Sequence, residues 1–330
     1  MEKATEGILM KNRSYNSSLT AGYKLYTDNF KKIFKASWLW AVLYAAACSI
    51  LGTLSSIELP RFVLMTMAST SSEMPLYENP EYITICLSFL AVIIIGGIIE
   101  ITFYSSGVSL LRQHQENASI PVPNTWFYFD KSSVWRTIKA AFFYCIIALI
   151  ISIPFGLIFV FFLKDMLADP SSYILSLCIT GLAILLIVCL AIPLTFSCTK
   201  YLLSHKGNFW KILVQAYPTG FRHYGYIFVV SVVCMFIVFI VSFITSLPAY
   251  ILSEANYIAN IGLLQGDPLG MPDYITTLTI ITFFVCGFIQ AYIRMTMLFP
   301  TYYMYGAIET QEKEILENKL KNEQDLYRIN

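Results

Sequence analysis

Six long apolar runs dominate the sequence, at about 37–57, 82–111, 140–163, 172–199, 224–252 and 275–305. A bilayer's hydrocarbon core is ~30 Å thick, and a helix rising ~1.5 Å per residue crosses it in ~20 apolar residues. Every run reaches that length. Backbone N–H and C=O groups find no water inside the bilayer, so each run must close its hydrogen bonds within itself, as a helix. The alternation that marks barrel strands is absent from the sequence. The expected fold is therefore all-α: a polytopic membrane bundle of six transmembrane helices. Composition agrees, with 57% hydrophobic and 13% charged residues, where a soluble domain carries ~25% charge.

Lysine and arginine set the expected orientation. All of them except Arg61, Lys164 and Arg294 fall in the N-terminal segment, after the second or fourth run, or in the tail. Those regions are expected to be cytoplasmic, which places both termini inside and the protein in the cell (inner) membrane. The opposite loops hold Glu73, Glu78, Asp165, Asp169, Asp267 and Asp273. Trp38, Trp40, Trp126, Trp135 and Trp210 all lie near the inner boundary, the headgroup level that indole rings favour. The first 36 residues are polar and Lys-rich, too long for the n-region of a signal peptide. The first run is expected to remain as an uncleaved anchor.

Three regions follow: a cytoplasmic N-terminal segment with an interfacial helix (1–36), a six-helix transmembrane domain (37–305) and a charged cytoplasmic C-terminal helix (306–330). Within 21–36, Tyr23, Tyr26, Phe30, Ile33 and Phe34 share one helical face, and Lys24, Asp28, Lys31 and Lys35 share the other. That pattern predicts an amphipathic helix lying in the inner leaflet surface. Residues 124–139 and 206–216 repeat it, the former from a cap at Asn124 or Thr125. Tyr23, Phe30, Ile33 and Phe34 match Tyr217, Tyr224, Ile227 and Phe228 at one constant offset, and 32–36 is similar to 136–140. Three helical-hairpin repeats and plain similarity of segments at one interface account for this equally well.

Chemistry is sparse. His114, His205 and His223 lie between or after the runs, without a second ligand at metal spacing, and read as solvated interfacial residues. The eight cysteines sit inside apolar runs with no CxxC, as small buried hydrophobes. No nucleophile–base motif, P-loop or dinucleotide fingerprint occurs. No enzyme activity, cofactor or metal is expected. A net charge of +1 gives no reason to expect nucleic acid.

Charges inside a membrane run mark candidate sites. Glu100 in the second run and Arg294 in the sixth reach matching depth near the inner boundary, with Gln290 one turn before Arg294. Thr195 and Ser197 lie at similar depth, as do Thr102, Thr199 and Thr296. The expected polar cluster is Glu100, Gln290, Arg294, Thr195 and Ser197. Its roles are an ion pair that fixes packing or a ligand site open to the cytoplasm. Pro154 and Pro193 are expected kinks.

The short hairpin loops, and the aromatic-basic stretch Gly22-Tyr23-Lys24-Leu25-Tyr26-Thr27-Asp28-Asn29-Phe30, carry a resemblance. The chain resembles six-helix bacterial integral membrane proteins related to the membrane-anchoring domain of glycerophosphodiester phosphodiesterases. The resemblance implies no catalytic residues, because no segment is long enough to hold the phosphodiesterase barrel. The expected function is a non-enzymatic scaffold, lipid-related or envelope accessory protein. Its expected partners are membrane lipids and another membrane protein. The alternative is a small-molecule or ion transporter or channel using Glu100 and Arg294.

Overall fold

The computed structural model describes residues 9–69, 80–120, 129–166, 170–204, 207–264 and 274–329, with 266 and 272. In chain order the helices are α1 (Tyr15–Asp28), α2 (Phe30–Ser69), α3 (Pro80–Asn117), α4 (Lys131–Met166), α5 (Pro170–Leu203), α6 (Phe209–Arg222), α7 (Tyr224–Leu264), α8 (Tyr274–Met295) and α9 (Leu298–Ile329). No strand occurs among the described residues. Five stretches are long and apolar enough to cross a membrane: Phe30–Val63, Pro80–Asn117, Lys131–Ile150, Tyr224–Leu263 and Tyr274–Gln324. The protein is a multi-pass, all-helical membrane bundle. The fourth expected span falls on α5, where the side chains of 170–180 and 183–188 lie outside the described residues.

The helices outrun the bilayer. α2 has 40 residues and α7 has 41, or ~60 Å of helix against a ~30 Å core. The helices bear exposed apolar side chains, such as Leu87, Ile94 and Ile98 on α3 and Phe236, Phe239 and Ile244 on α7. Such surface is stable against lipid tails and not against water. The packed core lies toward the opposite ends. Tyr302, Phe299, Phe196, Ile33, Ile227, Leu110, Met304 and Ile308 are fully or almost fully buried there. The molecule thus has a loosely packed, lipid-facing part and a dense helical layer at one end.

A proline creates that layer. The sixth run, 275–305, is two helices. Pro300 has no N–H to give the carbonyl of Thr296, and its ring crowds that carbonyl. The chain tightens instead: Thr296 N–H bonds Ile293 O, and Met297 N–H bonds Arg294 O. The carbonyl of Tyr292 thereby loses its helical donor, and the Tyr26 hydroxyl of α1 bonds it at 3.1 Å. Tyr26 also meets the Phe299 ring edge-on at 5.0 Å. Gly22 lies against the break so closely that a Cβ there would come within 2.4 Å of the Pro300 nitrogen. The tail accordingly starts at Leu298 and not at Gly306, which is itself wedged against Leu9.

The N-terminal segment differs from its expectation for the same reason. Residues 21–36 are not one helix. The helix breaks at Asn29, and α1 buries Ser18, Leu19, Gly22 and Tyr26 against protein. α6 is the more lipid-like of the two short helices. It buries Phe209, Leu213, Ala216 and Gly220 yet exposes Trp210, Val214 and Phe221. Gly220 abuts the Pro193 carbonyl, and Tyr217 donates to the Leu190 carbonyl just before that proline. The cap expected at Asn124 or Thr125, together with Trp126 and His205, lies outside the described residues, as does the side chain of Pro154.

Several charges expected in solvated loops are buried inside helices. Arg112 on α3 donates to Leu202 O at 2.7 Å, to Ser204 O at 3.1 Å and to the Ser133 hydroxyl at 3.1 Å. Arg136 on α4 donates to Tyr201 O at 2.9 Å and lies over the Tyr201 ring. Two guanidiniums therefore satisfy the C-terminal carbonyls of α5 and oppose the negative end of its dipole. Asp130 caps α4 through the amides of Ser132 and Ser133 and the Ser133 hydroxyl. Burial opposes its charge, but those bonds and the nearby Arg112 outweigh it and hold the carboxyl below its ordinary value. His114 is only 5% exposed, and its Nδ1 pairs with the Tyr302 hydroxyl at 2.9 Å. His223 pairs with Glu312 at 2.9 Å, and Lys200 with Glu309 at 2.6 Å. These last two pairs strap α9 to its neighbours.

Two glycines test this account. Gly22→Ala should lower the unfolding temperature in detergent, because Pro300 backbone atoms occupy the space for its Cβ. Gly97→Ala, where nothing lies within 4 Å, should leave it unchanged or raise it, since alanine favours a helix by ~1 kcal/mol. Equal effects at both sites would contradict the close seating of α1 on the break.

Candidate functional site

The polar groups near the break are placed by three helices. α8 carries Arg294 one residue before its end, α3 carries Glu100, and α2 carries Tyr44. Arg294 Nη1 donates to Glu100 Oε1 at 2.9 Å and to the Tyr44 hydroxyl at 3.0 Å. One nitrogen makes both contacts, so the pair is not the two-pronged arginine–carboxylate fork. The side chains of Arg294 and Glu100 are 52% and 44% exposed to whatever surrounds the protein. Lysine or arginine at such a level reaches headgroup water along its flexible stem.

Gln290, one turn earlier on α8, does not join the pair. Its amide nitrogen donates to Ser242 O at 2.7 Å and to Thr245 Oγ1 at 2.8 Å, tying α8 to α7. Thr195 shares a cavity with Glu100 but makes no bond to it. Ser197 is fully buried, and its hydroxyl has no hydrogen-bond partner among the described residues. It is not among the residues that line the cavity of Thr195 and Glu100. Thr102 and Thr296 return their protons to their own helices at Ile98 O and Ile293 O.

Two cavities flank the ion pair. One, of about 530 Å³, lies between α3, α4, α5 and the α8–α9 break. Its walls include Gly97, Ile101, Leu111, Ala140, Ala141, Leu203, Met297 and Leu298, with Glu100 beside them. Three of its threonines are chemically muted. Thr137 donates to Ser133 O, Thr199 to Thr195 O, and Thr301 to Met297 O and Leu298 O. Tyr144 and Cys145 of α4 are exposed at its edge.

The other cavity, of about 440 Å³, lies between α2, α7 and α8. Arg294, Gln290, Tyr44, Tyr250, Ser55, Ser246 and Ser253 line it, with Gly52 and Gly287 where α2 and α8 pack most closely. A void of about 10 Å³ beside Phe103, Tyr104 and Met295 lies between the two, near the ~10–15 Å³ that a single water needs. The polar cluster read from the sequence is thus divided. Glu100 and Thr195 belong to the apolar side, and Arg294 and Gln290 to the polar side. Sequence reasoning missed Tyr44, whose signal was a tyrosine inside a run one turn past Trp40. Among the described residues, no three His, Cys, Asp or Glu side chains gather as metal ligands.

Half-exposed, singly bonded ion pairs contribute ~0.2–1 kcal/mol. A double-mutant cycle of Glu100→Gln and Arg294→Gln, read as unfolding free energy in detergent, should give a coupling of ~1 kcal/mol or less. A coupling of ~3 kcal/mol or more would mean that the bundle desolvates the pair. Compared with protein-family models, with curated proteins and with solved structures, the chain matches none.

Proposed function

We propose that this protein is a non-enzymatic, lipid-engaging bundle of the cytoplasmic membrane, with six spans and both termini inside, and that its apolar cavity takes the acyl chain of a membrane lipid. The observation that carries the reading is the 530 Å³ cavity itself. Its volume falls in the ~300–1,000 Å³ range of ligand sites. Three of its threonines already donate to helix carbonyls, its walls are mostly apolar side chains, and Glu100 at its edge repels an anionic headgroup. An apolar chain meets neither obstacle. Lipid tails are already in apolar surroundings, so such a cavity selects by shape and packing and not by the hydrophobic effect. A scaffold that holds lipid between its helices is also a natural partner for another membrane protein.

Helix boundaries support two matched units, the first and the last of the three proposed. α1 and α6 each have 14 residues, each ends at a single non-helical residue (Asn29 and His223), and each is followed by a span of about 40 residues. All these boundaries fall at the same sequence offset as the matched aromatic residues. α6 packs on α5, the returning helix before it, and α1 packs on α9, the continuation of the last returning helix. In this reading the three units close into a ring, with α1 covering the end of the third.

The transport reading is favoured by one feature, the ion pair standing between two cavities. The small void between them passes no hydrated solute in this conformation, which ranks that reading second.

Topology is checked by reporter fusions. Fusions after Lys35, Lys131, Lys206 and Lys321 should be active only with a cytoplasmic reporter, and those near Glu73, Asp165 and Asp267 only with a translocated one. A translocated signal at Lys206 would exclude six spans. Lipid binding is checked by native mass spectrometry of protein extracted in mild detergent. Wild type should retain phospholipid, while Ala141→Phe and Gly97→Leu, which fill the cavity, should retain severalfold less at unchanged unfolding temperature. Equal retention by wild type and both variants would contradict the acyl-chain site.

A further inference from the structure

The polar cavity has a chemistry opposite to that of the apolar one. Arg294 carries five N–H donors in a fixed plane. Its two protein contacts both use Nη1. The Nε and Nη2 edge has no acceptor among the described residues, although Arg294 lines the 440 Å³ cavity. That edge is the side of a guanidinium that binds carboxylate or phosphate through two parallel hydrogen bonds. Ser253 and Tyr250 line the same cavity, and no described residue bonds either hydroxyl. Ser55 and Ser246 donate to Leu51 O and Ser242 O and add polarity without further donors. No carboxylate occurs among the cavity's lining residues, and Arg294 is the cation among them.

We propose that the cavity between α2, α7 and α8 is an oxyanion site, in which Arg294 binds a phosphate or carboxylate group through its Nε and Nη2 edge. Glu100 and Tyr44 position the guanidinium by holding Nη1, which reduces the rotamer freedom lost on binding. Glu100 also opposes the ligand, because a carboxylate on the far side of the guanidinium neutralises part of its charge. The site thus carries a built-in limit on its own affinity. It is separate from the acyl-chain cavity, since the two lie on opposite sides of the ion pair, and it stands or falls independently of it. The oxyanion has two sources: the phosphate of an anionic lipid at the inner leaflet, or a small soluble anion.

The test uses the full-length protein and two probes. Inorganic phosphate is titrated against protein in neutral detergent by calorimetry. In the other arm, the protein sits in nanodiscs of phosphatidylcholine containing phosphatidylglycerol, and native mass spectrometry counts the phosphatidylglycerol retained. Binding of either probe should fall at least tenfold in Arg294→Gln. It should fall severalfold in Arg294→Lys, which keeps the charge near Glu100 and lacks the planar fork. It should rise severalfold in Glu100→Gln, an increase that a purely structural pair would not produce. Retention of phosphatidylglycerol alone identifies a headgroup site, and binding of phosphate identifies a soluble anion. Wild-type protein that binds neither probe would overturn the proposal. So would an Arg294→Lys variant of unchanged unfolding temperature that binds as wild type does.

Discussion

The missing amide of Pro300 is the constraint on which the packed layer of this structure depends. Without it, the sixth apolar run would continue as one rod, and α9 would leave the bundle along the axis of α8. The lost hydrogen bond turns the chain at Thr296 and Met297. The turn frees the Tyr292 carbonyl, and Tyr26 satisfies it. A buried carbonyl left without a donor would cost ~1–3 kcal/mol, so the break and the seating of α1 stabilise one another. The redirected α9 then supplies Phe299, Tyr302, Met304 and Ile308, the centre of the packed layer. Arg294 stands one residue before the end of α8, and both cavities border the residues around the turn.

What the sequence disclosed follows from how strongly the bilayer restricts a chain. Helical runs of this length admit one secondary structure, so the class of fold was legible from hydropathy alone. The depth of Glu100 and Arg294 was legible too, because rise per residue is fixed. Rotation about the helix axis is not written in composition, and it decides the rest. It divides the expected cluster between two cavities and leaves Ser197 buried outside both. Pro300 was visible as a letter, but proline is common in membrane helices, and only its packing against Gly22 distinguishes a break from a kink.

The largest departures concern charge. Arg112, Arg136 and His114 read as loop residues at the membrane surface, since they flank apolar runs. In the fold they sit within helices. Arg112 and Arg136 donate to the carbonyls of Tyr201, Leu202 and Ser204 at a helix end, and His114 pairs with the Tyr302 hydroxyl. Positive charge near an inner boundary thus serves two physical purposes at once: it biases topology, and it closes the exposed ends of helices. A sequence shows the first through counts. The second needs the position of an end that lies 65 to 92 residues away.

The two cavities give the molecule an amphipathic interior, apolar beside Glu100 and more polar beside Arg294. The most direct test is an experimental density map of the protein in lipid nanodiscs. The account predicts an elongated lipid density in the cavity between α3, α4 and α5, beside Met297 and Thr301, with the helix broken at Thr296 and Met297. A continuous water-filled passage past Glu100 and Arg294, or an unbroken helix through Pro300 with no such density, would contradict it.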